Sequence, residues 1–127
     1  MEMQRILYIG MGGFIGASLR YLVSLASSRL FGTQLPYGTL IVNAFGGLLI
    51  GLVMELSIAT DLIPPSLRLF LVTGILGGLT TFSAFSYETM GLFSDGSYLL
   101  AGLNMGLNLF LSFGGVALGR FVVNSVI

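Results

Sequence analysis

The residues of this sequence best suited to chemistry lie between Thr73 and Glu88, where glycines, hydroxyl groups and phenylalanines interrupt an apolar stretch. Three glycines and two threonines near its centre disfavour a continuous helix, so we expect the chain to break near Gly77–Thr81. A break frees backbone carbonyls, which can coordinate a cation, and backbone N–H groups, which favour an anion. A kinked helix whose Ser and Thr side chains bond back to their own turns is the simpler alternative.

Neutral hydrogen-bond donors recur at helical spacing in two other stretches. Asn104, Asn108 and Ser112 follow one another at intervals of four, and Thr39 and Asn43 repeat that interval. Amides and hydroxyls donate hydrogen bonds without a net charge, which suits an anion that must be held weakly and then released. Hydrogen bonding between helices would explain the same pattern.

Two phenylalanines and two charged residues complete the set of candidate functional residues. Phe82 and Phe85 are three residues apart, so they share one helix face, and the positive edge of an aromatic ring could contact an anion. Ordinary packing is the alternative for such a pair. Arg20 lies deep in the first apolar stretch; its side chain could extend to the membrane interface, but its central position favours a partner or an anion. Glu88 could pair with Arg20, cap the path or reach the membrane interface.

The overall composition predicts that these residues belong to a membrane protein. Of 127 residues, 55% are hydrophobic and 8% are charged, and the mean hydropathy is +1.00, whereas an ordinary soluble domain carries about 25% charged residues. The absence of Cys and His excludes disulfides, the usual zinc sites, Cys nucleophiles and imidazole bases. The net charge is zero and every base is an arginine, which leaves no basic stripe for a nucleic acid.

Four apolar segments separated by turn signals are each long enough to cross the bilayer, which takes about 20 residues. We predict helices over about 4–30, 37–58, 66–93 and 97–124, forming a single transmembrane domain over residues 1–127. The segments are too long and too uniformly apolar for the strands of a β-barrel. The bases that flank them divide three to one between the two sides, a weak bias that is compatible with insertion in both orientations. These bases are Arg5, Arg68 and Arg120 on one side and Arg29 on the other.

Glycines at four-residue spacing would let helix backbones approach closely. They could pack helices within one chain or join two copies of it. Because four short helices enclose little interior, we expect an oligomer to be the functional unit. The pairs are Gly12/Gly16, Gly47/Gly51, Gly102/Gly106 and Gly115/Gly119.

The sequence resembles the CrcB/Fluc fluoride channel family over its whole length. The most specific part of the resemblance is the ordered string Thr73–Ser86, supported by residues 12–21 and 38–43. Asn104, Asn108, Ser112 and Gly119 are similar to the family's fourth helix, although some members have a tyrosine and a serine at the first two positions. The resemblance implies an all-α integral membrane protein of four transmembrane helices, the third broken near Gly77–Thr81, that forms an antiparallel dual-topology homodimer.

The resemblance also implies an activity and a set of site residues. The family exports toxic fluoride across the inner membrane by passive conduction through two pores at the subunit interface. The backbone carbonyls of Gly77 and Thr80 from both subunits would hold a structural sodium ion at the dimer centre. Phe82 and Phe85 would line the pores, and Asn43 would donate to the anion. The other residues expected along the anion pathway are Thr39, Ser83, Asn108, Ser112 and Arg20.

Three other functions remain open at this point. A small dual-topology multidrug or guanidinium antiporter also has about four helices, but it needs a deep carboxylate, and Glu55 and Glu88 lie near the ends of their segments. A purely structural membrane subunit would conduct nothing. An intramembrane enzyme is the weakest alternative, because the chain has no visible nucleophile–base pair.

Overall fold

The computed structural model describes residues 1–127 as a bundle of helices without strands. Four stretches are long and apolar enough to cross a membrane, as judged by length and composition, which confirms the expected all-helical protein with four spans. The first two spans are α1 (Glu2–Phe31) and α2 (Tyr37–Ala59), and the last is α6 (Tyr98–Val126). The third comprises α3 (Pro65–Arg68), a π-helical segment (Leu69–Leu76), α4 (Gly77–Leu79) and α5 (Phe82–Ser94).

Glycine and proline set the turns between the spans. Gly32, directly after α1, has a φ of 86° and its N–H donates to the Ser28 carbonyl, and Gly96 between α5 and α6 has a φ of 78°. Such left-handed backbone is accessible to glycine at little cost. The third span begins at Pro65, where the missing N–H of proline is no loss because the first turn of a helix leaves its N–H groups unpaired. These short turns make sequential spans antiparallel.

Close helix contacts depend on three of the four glycine pairs. A Cβ at Gly47 or Gly51 of α2 would lie 2.6 or 2.5 Å from a carbonyl oxygen of α6, and a Cβ at Gly12 of α1 would lie 2.5 Å from the Phe70 carbonyl oxygen. Gly16, Gly115 and Gly119 are equally confined by backbone. By contrast, a Cβ at Gly102 or Gly106 would meet nothing within 4 Å. Packing within one chain therefore accounts for all the pairs except Gly102/Gly106.

The chain buries little of itself. Only 21 of 127 residues are buried, around a small core of Val42, Leu76 and Leu79, while large apolar side chains such as Phe110 and Phe113 are exposed. An apolar exterior of this extent must be covered by lipid or by another protein chain. The fold is consequently that of a multi-pass membrane protein.

Candidate functional site

The third span breaks at Thr80 and Thr81, inside the predicted range. Both residues are extended, with φ and ψ of −86° and 153° at Thr80 and −152° and 119° at Thr81. Thr81 caps the helix that follows, since its Oγ1 accepts a hydrogen bond from the Ala84 N–H at 3.1 Å, as Thr commonly does before a helix. We call these two extended residues the break.

The break removes the helical partners of two carbonyl groups. In a continuous helix the Gly77 carbonyl would accept from the Thr81 N–H and the Thr80 carbonyl from the Ala84 N–H. Instead the Thr81 N–H donates to Asn43 Oδ1 at 2.9 Å, and the Ala84 N–H donates to the Thr81 side chain. The two carbonyls proposed from sequence as cation ligands are therefore free of their helical donors.

Arg20 links α1 to the residues just before the break by a hydrogen bond to a backbone carbonyl, and not by an ion pair with an acid. Its Nε donates to the Gly78 carbonyl at 3.1 Å, and the residue is half-buried. A charged donor so deep in a span needs such an acceptor. Arg20 thus braces α4 just before the break.

Asn43 holds the break from the α2 side by bonding the same residue twice. Its Oδ1 accepts from the Thr81 N–H at 2.9 Å, and its Nδ2 donates to the Thr81 carbonyl at 3.1 Å. The second N–H of that amide donates to Asn108 Oδ1 at 3.0 Å. Asn43 consequently links the break to α6.

From Asn108 the hydrogen bonds continue along α6 and return to α5. Asn108 Nδ2 donates to Asn104 Oδ1 at 3.1 Å and to the Asn104 carbonyl at 2.8 Å. Asn104 Nδ2 then donates to Thr89 Oγ1 at 2.9 Å, and that hydroxyl donates to the Phe85 carbonyl at 2.7 Å. We refer to Asn43, Asn104, Asn108 and Thr89 as the asparagine network.

The hydrogen bonds that join the members of the asparagine network all run in one direction, and the series starts and finishes near the N-terminus of α5. Each side chain accepts from the preceding group and donates to the next, from the Thr81 N–H to the Phe85 carbonyl. Hydrogen bonds arranged in one direction polarise and strengthen one another. Since the series begins at Thr81, which caps α5, and ends at Phe85 in the first turn of α5, it holds in place the segment that carries both phenylalanines.

A cleft of about 440 Å³ lies beside the break, between α2, the third span and α6. No charged residue lines it. Phe82 and Phe85 meet there with ring centroids 5.6 Å apart and planes tilted by 56°. Phe82 is 76% exposed, whereas Phe85 is buried. The lining includes seven of the residues proposed from sequence: Asn43, Gly77, Thr80, Phe82, Phe85, Asn108 and Ser112.

Three of the proposed residues lie outside the lining of this cleft. Arg20 is at the Gly78 carbonyl, as described above. Ser83 is exposed on α5, with its Oγ 3.5 Å from Thr81 Oγ1. Thr39 is buried in α2 and faces the carboxyl group of Glu88.

Glu55 and Glu88, the two acids within the spans away from the N-terminus of the first span, have different surroundings. Glu88 Oε1 is buried without a hydrogen-bond partner, which is unusual for a carboxylate inside a membrane span. Glu55, in α2, accepts from Arg120 Nε of α6 at 3.0 Å. The acid that is free of an arginine is therefore Glu88, and it lies beside Thr39 rather than in the cleft.

Two features of the site could not be identified from sequence patterns. The π-helical segment before the break has no marker among its residue types, although such segments often accompany functional sites. Thr89 stands four residues after Phe85 and bonds back to its carbonyl, but its role depends on Asn104 of the next span. The one sequence signal of the asparagine network was the four-residue spacing of Asn104 and Asn108, which predicted a polar stripe on one helix face.

Comparison with known proteins identifies the family to which the sequence is similar. A family model described as "CrcB-like protein, Camphor Resistance (CrcB)" matches residues 7–120. The chain is 52% identical to a protein of Clostridium novyi (strain NT) over 112 residues, covering 88% of each chain. It is also 52% identical to one of Clostridium perfringens (strain 13 / Type A) over 114 residues, covering 90% of this chain and 89% of the relative.

A more distant relative extends the match across nearly the full length. A protein of Sulfurihydrogenibium sp. (strain YO3AOP1) is 44% identical over 124 residues, covering 94% of this chain and all of the relative. All three relatives are named "Fluoride-specific ion channel FluC". With a family model over most of the chain and such identities, this chain belongs to the CrcB/FluC family, which is one of ion channels and not of enzymes.

Proposed function

We propose that this protein is a passive fluoride-selective channel that exports cytoplasmic fluoride and so lowers fluoride toxicity. The observation that carries the proposal is the uncharged cleft bordered by Phe82, Phe85, Asn43 and Asn108, in a chain whose relatives are named fluoride-specific channels. Neutral donors and ring edges are suited to an anion that must enter and leave quickly.

The physical demand on such a pore is the replacement of water. Fluoride is small and strongly hydrated, so a selective path must supply several hydrogen bonds in place of those it removes. The amide of Asn43 and the hydroxyl of Ser112 are neutral donors at the cleft. Asn108 instead presents its side-chain oxygen there, because its N–H groups are bonded to Asn104. A narrow path disfavours the larger chloride ion.

No energy source is required for export. A negative-inside membrane potential of 100 mV lowers the free energy of each exported anion by about 2.3 kcal/mol. Hydrogen fluoride that enters and ionises in a more alkaline cytosol then leaves as the anion. We place the channel in the inner membrane on this ground.

We propose that the functional unit is an antiparallel homodimer with two pores. The cleft is open along the side where Phe82 is exposed, and a single copy would expose a conducted anion to lipid. A second copy of opposite orientation would cover this side. Cysteine labelling from both faces of the membrane tests the orientation, and labelling from one face only would contradict it.

The free carbonyls of Gly77 and Thr80 fit a structural sodium ion at the centre of that dimer. Both oxygens lack their helical donors, and the chain has no cluster of three or more acidic, His or Cys residues for a divalent ion. A site made of carbonyls favours a hard monovalent cation over Mg²⁺, which demands an octahedral shell and retains water. When bound, the ion would brace the two breaks and raise the local positive potential.

Thr39, Ser83 and Arg20 belong to the proposed pathway outside the cleft. Thr39 and Ser83 carry hydroxyls on α2 and α5, where they can donate to an anion that approaches or leaves the cleft. Arg20 already donates to Gly78, so its contribution would be electrostatic.

The test is fluoride efflux from proteoliposomes, followed with a fluoride-selective electrode and with chloride as the control ion. We expect rapid fluoride release, little chloride release and no dependence on a proton gradient. Release of both halides at similar rates, or of neither, would overturn the proposal.

The antiporter alternative rests on the unpartnered oxygen of Glu88. Glu55 does not support it, because that carboxylate is paired with Arg120. Neutralising both acids separates the two functions. Fluoride efflux that persists in the double Glu55→Gln, Glu88→Gln variant favours the channel, whereas loss of a proton-coupled cation exchange would identify an antiporter.

A further inference from the structure

We propose that Asn108 is a positioning residue whose side-chain oxygen occupies the Asn43 amide until the transported anion takes its place. This inference rests on the proposed function, because it concerns how the same cleft binds and releases fluoride. It assigns to Asn108 a role as an internal acceptor that competes with the anion, rather than as a donor to it.

The donors of Asn43 are fully used in the structure. A primary amide has two N–H donors, and those of Asn43 go to the Thr81 carbonyl at 3.1 Å and to Asn108 Oδ1 at 3.0 Å. The orientation of this amide is determined by the Thr81 N–H, which donates to Asn43 Oδ1 at 2.9 Å. If the amide were reversed, Asn43 Oδ1 would face the Thr81 carbonyl oxygen and Asn43 Nδ2 would face the Thr81 N–H, and neither pair can form a hydrogen bond. An anion that binds Asn43 must therefore displace one of the two acceptors.

Of these two acceptors, Asn108 Oδ1 is the one that can be released. The Thr81 carbonyl is bonded by the same amide that accepts from the Thr81 N–H, so its loss would disturb both contacts and the break itself. Asn108 Oδ1, by contrast, accepts from Asn43 alone. Asn43 and Asn108 both line the cleft, where an arriving anion can reach the bond between them.

The rest of the network keeps the Asn108 oxygen in this position. Both N–H groups of the Asn108 amide are held by Asn104, through its carbonyl and its Oδ1. Asn104 is fully buried and is itself anchored on Thr89. The amide of Asn108 is thus oriented with its oxygen toward Asn43 before any anion arrives.

The exchange explains how the cleft can bind an anion without trapping it. A hydrogen bond to an anion is about twice as strong as one between neutral groups, so fluoride displaces the Asn108 oxygen. The displaced oxygen nevertheless remains a neighbouring competitor for the same N–H. Its presence lowers the net affinity and lets the anion leave, which conduction requires.

Asn108→Ser tests the inference, because serine is smaller than asparagine and keeps a polar side chain at a buried position. The shorter side chain withdraws the competing oxygen from Asn43. We expect fluoride to bind about two- to tenfold more tightly, the range of one neutral hydrogen bond. The readout is a fluoride titration of the Asn43 side-chain amide by nitrogen-15 NMR, with the signal assigned by its absence from an Asn43→Ser sample.

Two further variants sharpen the result. Asn108→Asp keeps an acceptor oxygen beside Asn43 and adds a negative charge, so we expect weaker fluoride binding and slower flux. Asn124→Ser makes the same Asn-to-Ser change at an exposed position of α6, outside the cleft, and should leave binding unchanged. The fluoride-free Asn43 signal should differ from that of the natural protein in Asn108→Ser and not in Asn124→Ser.

The outcomes separate this inference from the proposed function. Fluoride flux together with equal fluoride affinity in the natural protein and Asn108→Ser would overturn the inference and leave the channel in place. An Asn43 signal that does not respond to fluoride in a conducting protein would also overturn it. A natural protein that conducts no fluoride would overturn both.

Discussion

The two halves of the third span are held in place by different means. The half before the break packs against α1 through glycines, with the Gly74 Cα 2.8 Å from the position of a Cβ at Gly12. The half after the break, α5, is fastened at Thr81 and Thr89 by hydrogen bonds to the asparagine network. The first half is held mainly by close backbone packing at glycines, with one side-chain bond from Arg20 to a backbone carbonyl of α4. The second half is held mainly by side-chain hydrogen bonds.

This difference suits the two halves to different tasks. Backbone contacts without side chains cannot exchange partners, so the first half gives a fixed support for the carbonyls of Gly77 and Thr80. Hydrogen bonds can change partner at modest net cost, so the network that holds the second half is suited to the proposed exchange, in which the Asn43 N–H passes from Asn108 Oδ1 to an anion. The phenylalanines and amides of the cleft lie on the side that hydrogen bonds organise.

The largest expected effect is on the packed half. In Gly16→Ala the new methyl group would collide with the Ile75 carbonyl, and overpacking of this kind typically costs about 1–3 kcal/mol or more. We expect little folded protein and a lowered midpoint of thermal unfolding in detergent. Gly13→Ala is the matched control on the same helix, because its Cβ would meet nothing within 4 Å. Equal unfolding midpoints for the two variants would show that close backbone packing does not hold this half.

The next largest effect is on the hydrogen-bonded half. Asn43→Asp replaces the amide nitrogen with an oxygen. The new carboxylate oxygen would face two acceptor oxygens, the Thr81 carbonyl and Asn108 Oδ1, and repel both. It also adds a negative charge to an uncharged cleft. We expect almost complete loss of fluoride efflux and a loss of stability of about 1–3 kcal/mol from the broken bonds.

Efflux and thermal unfolding measured on the same Asn43→Asp preparation check both parts. Asn124→Asp, which adds the same charge at an exposed position of α6, is the control and should retain efflux. Normal efflux in Asn43→Asp would remove Asn43 from the pathway.

A third variant separates function from stability within α5. Phe82 lines the cleft and is 76% exposed, so Phe82→Ile removes a ring edge with little change in packing inside the chain. We expect fluoride efflux to fall about tenfold, the upper range of an aromatic contact, with an elution volume in gel filtration equal to that of the natural protein. Phe85→Ile should also lower efflux, and Phe121→Ile, 68% exposed and outside the cleft, should not. Unchanged efflux in both cleft variants would contradict the pore assignment.

The sequence predicted the structure best where the type of a residue alone determines the local structure, as for uncharged stretches that span a membrane and small residues that allow close helix packing. Stretches without charge predicted the four spans, and glycines and threonines at mid-membrane predicted the break near Gly77–Thr81, which falls at Thr80 and Thr81. Confinement of Gly12, Gly16, Gly47 and Gly51 by neighbouring backbone follows from the small-residue pattern. Only the choice between packing within the chain and packing between copies required the structure.

The sequence was least informative where a contact joins distant residues. The spacing of Asn104 and Asn108 predicted a polar stripe, but not that both amides would be occupied by protein acceptors. Nor did it indicate that Arg20 would bond Gly78, which is 58 residues away. Such partners depend on the relative rotation of packed helices, and no local pattern encodes that rotation.

The smallest expected effect tests whether the far end of the asparagine network matters to α5. Thr89→Val preserves shape but removes the hydroxyl that links Asn104 to the Phe85 carbonyl, leaving a buried N–H of Asn104 unpaired. Such a group costs about 1–3 kcal/mol, so we expect a lower unfolding midpoint and only a small loss of efflux. Ser86→Ala is the matched control, because that hydroxyl bonds only within its own helix turn. If the two variants unfold alike, α5 is not held by the network at Thr89, and the contrast between the two halves of the span is confined to the break.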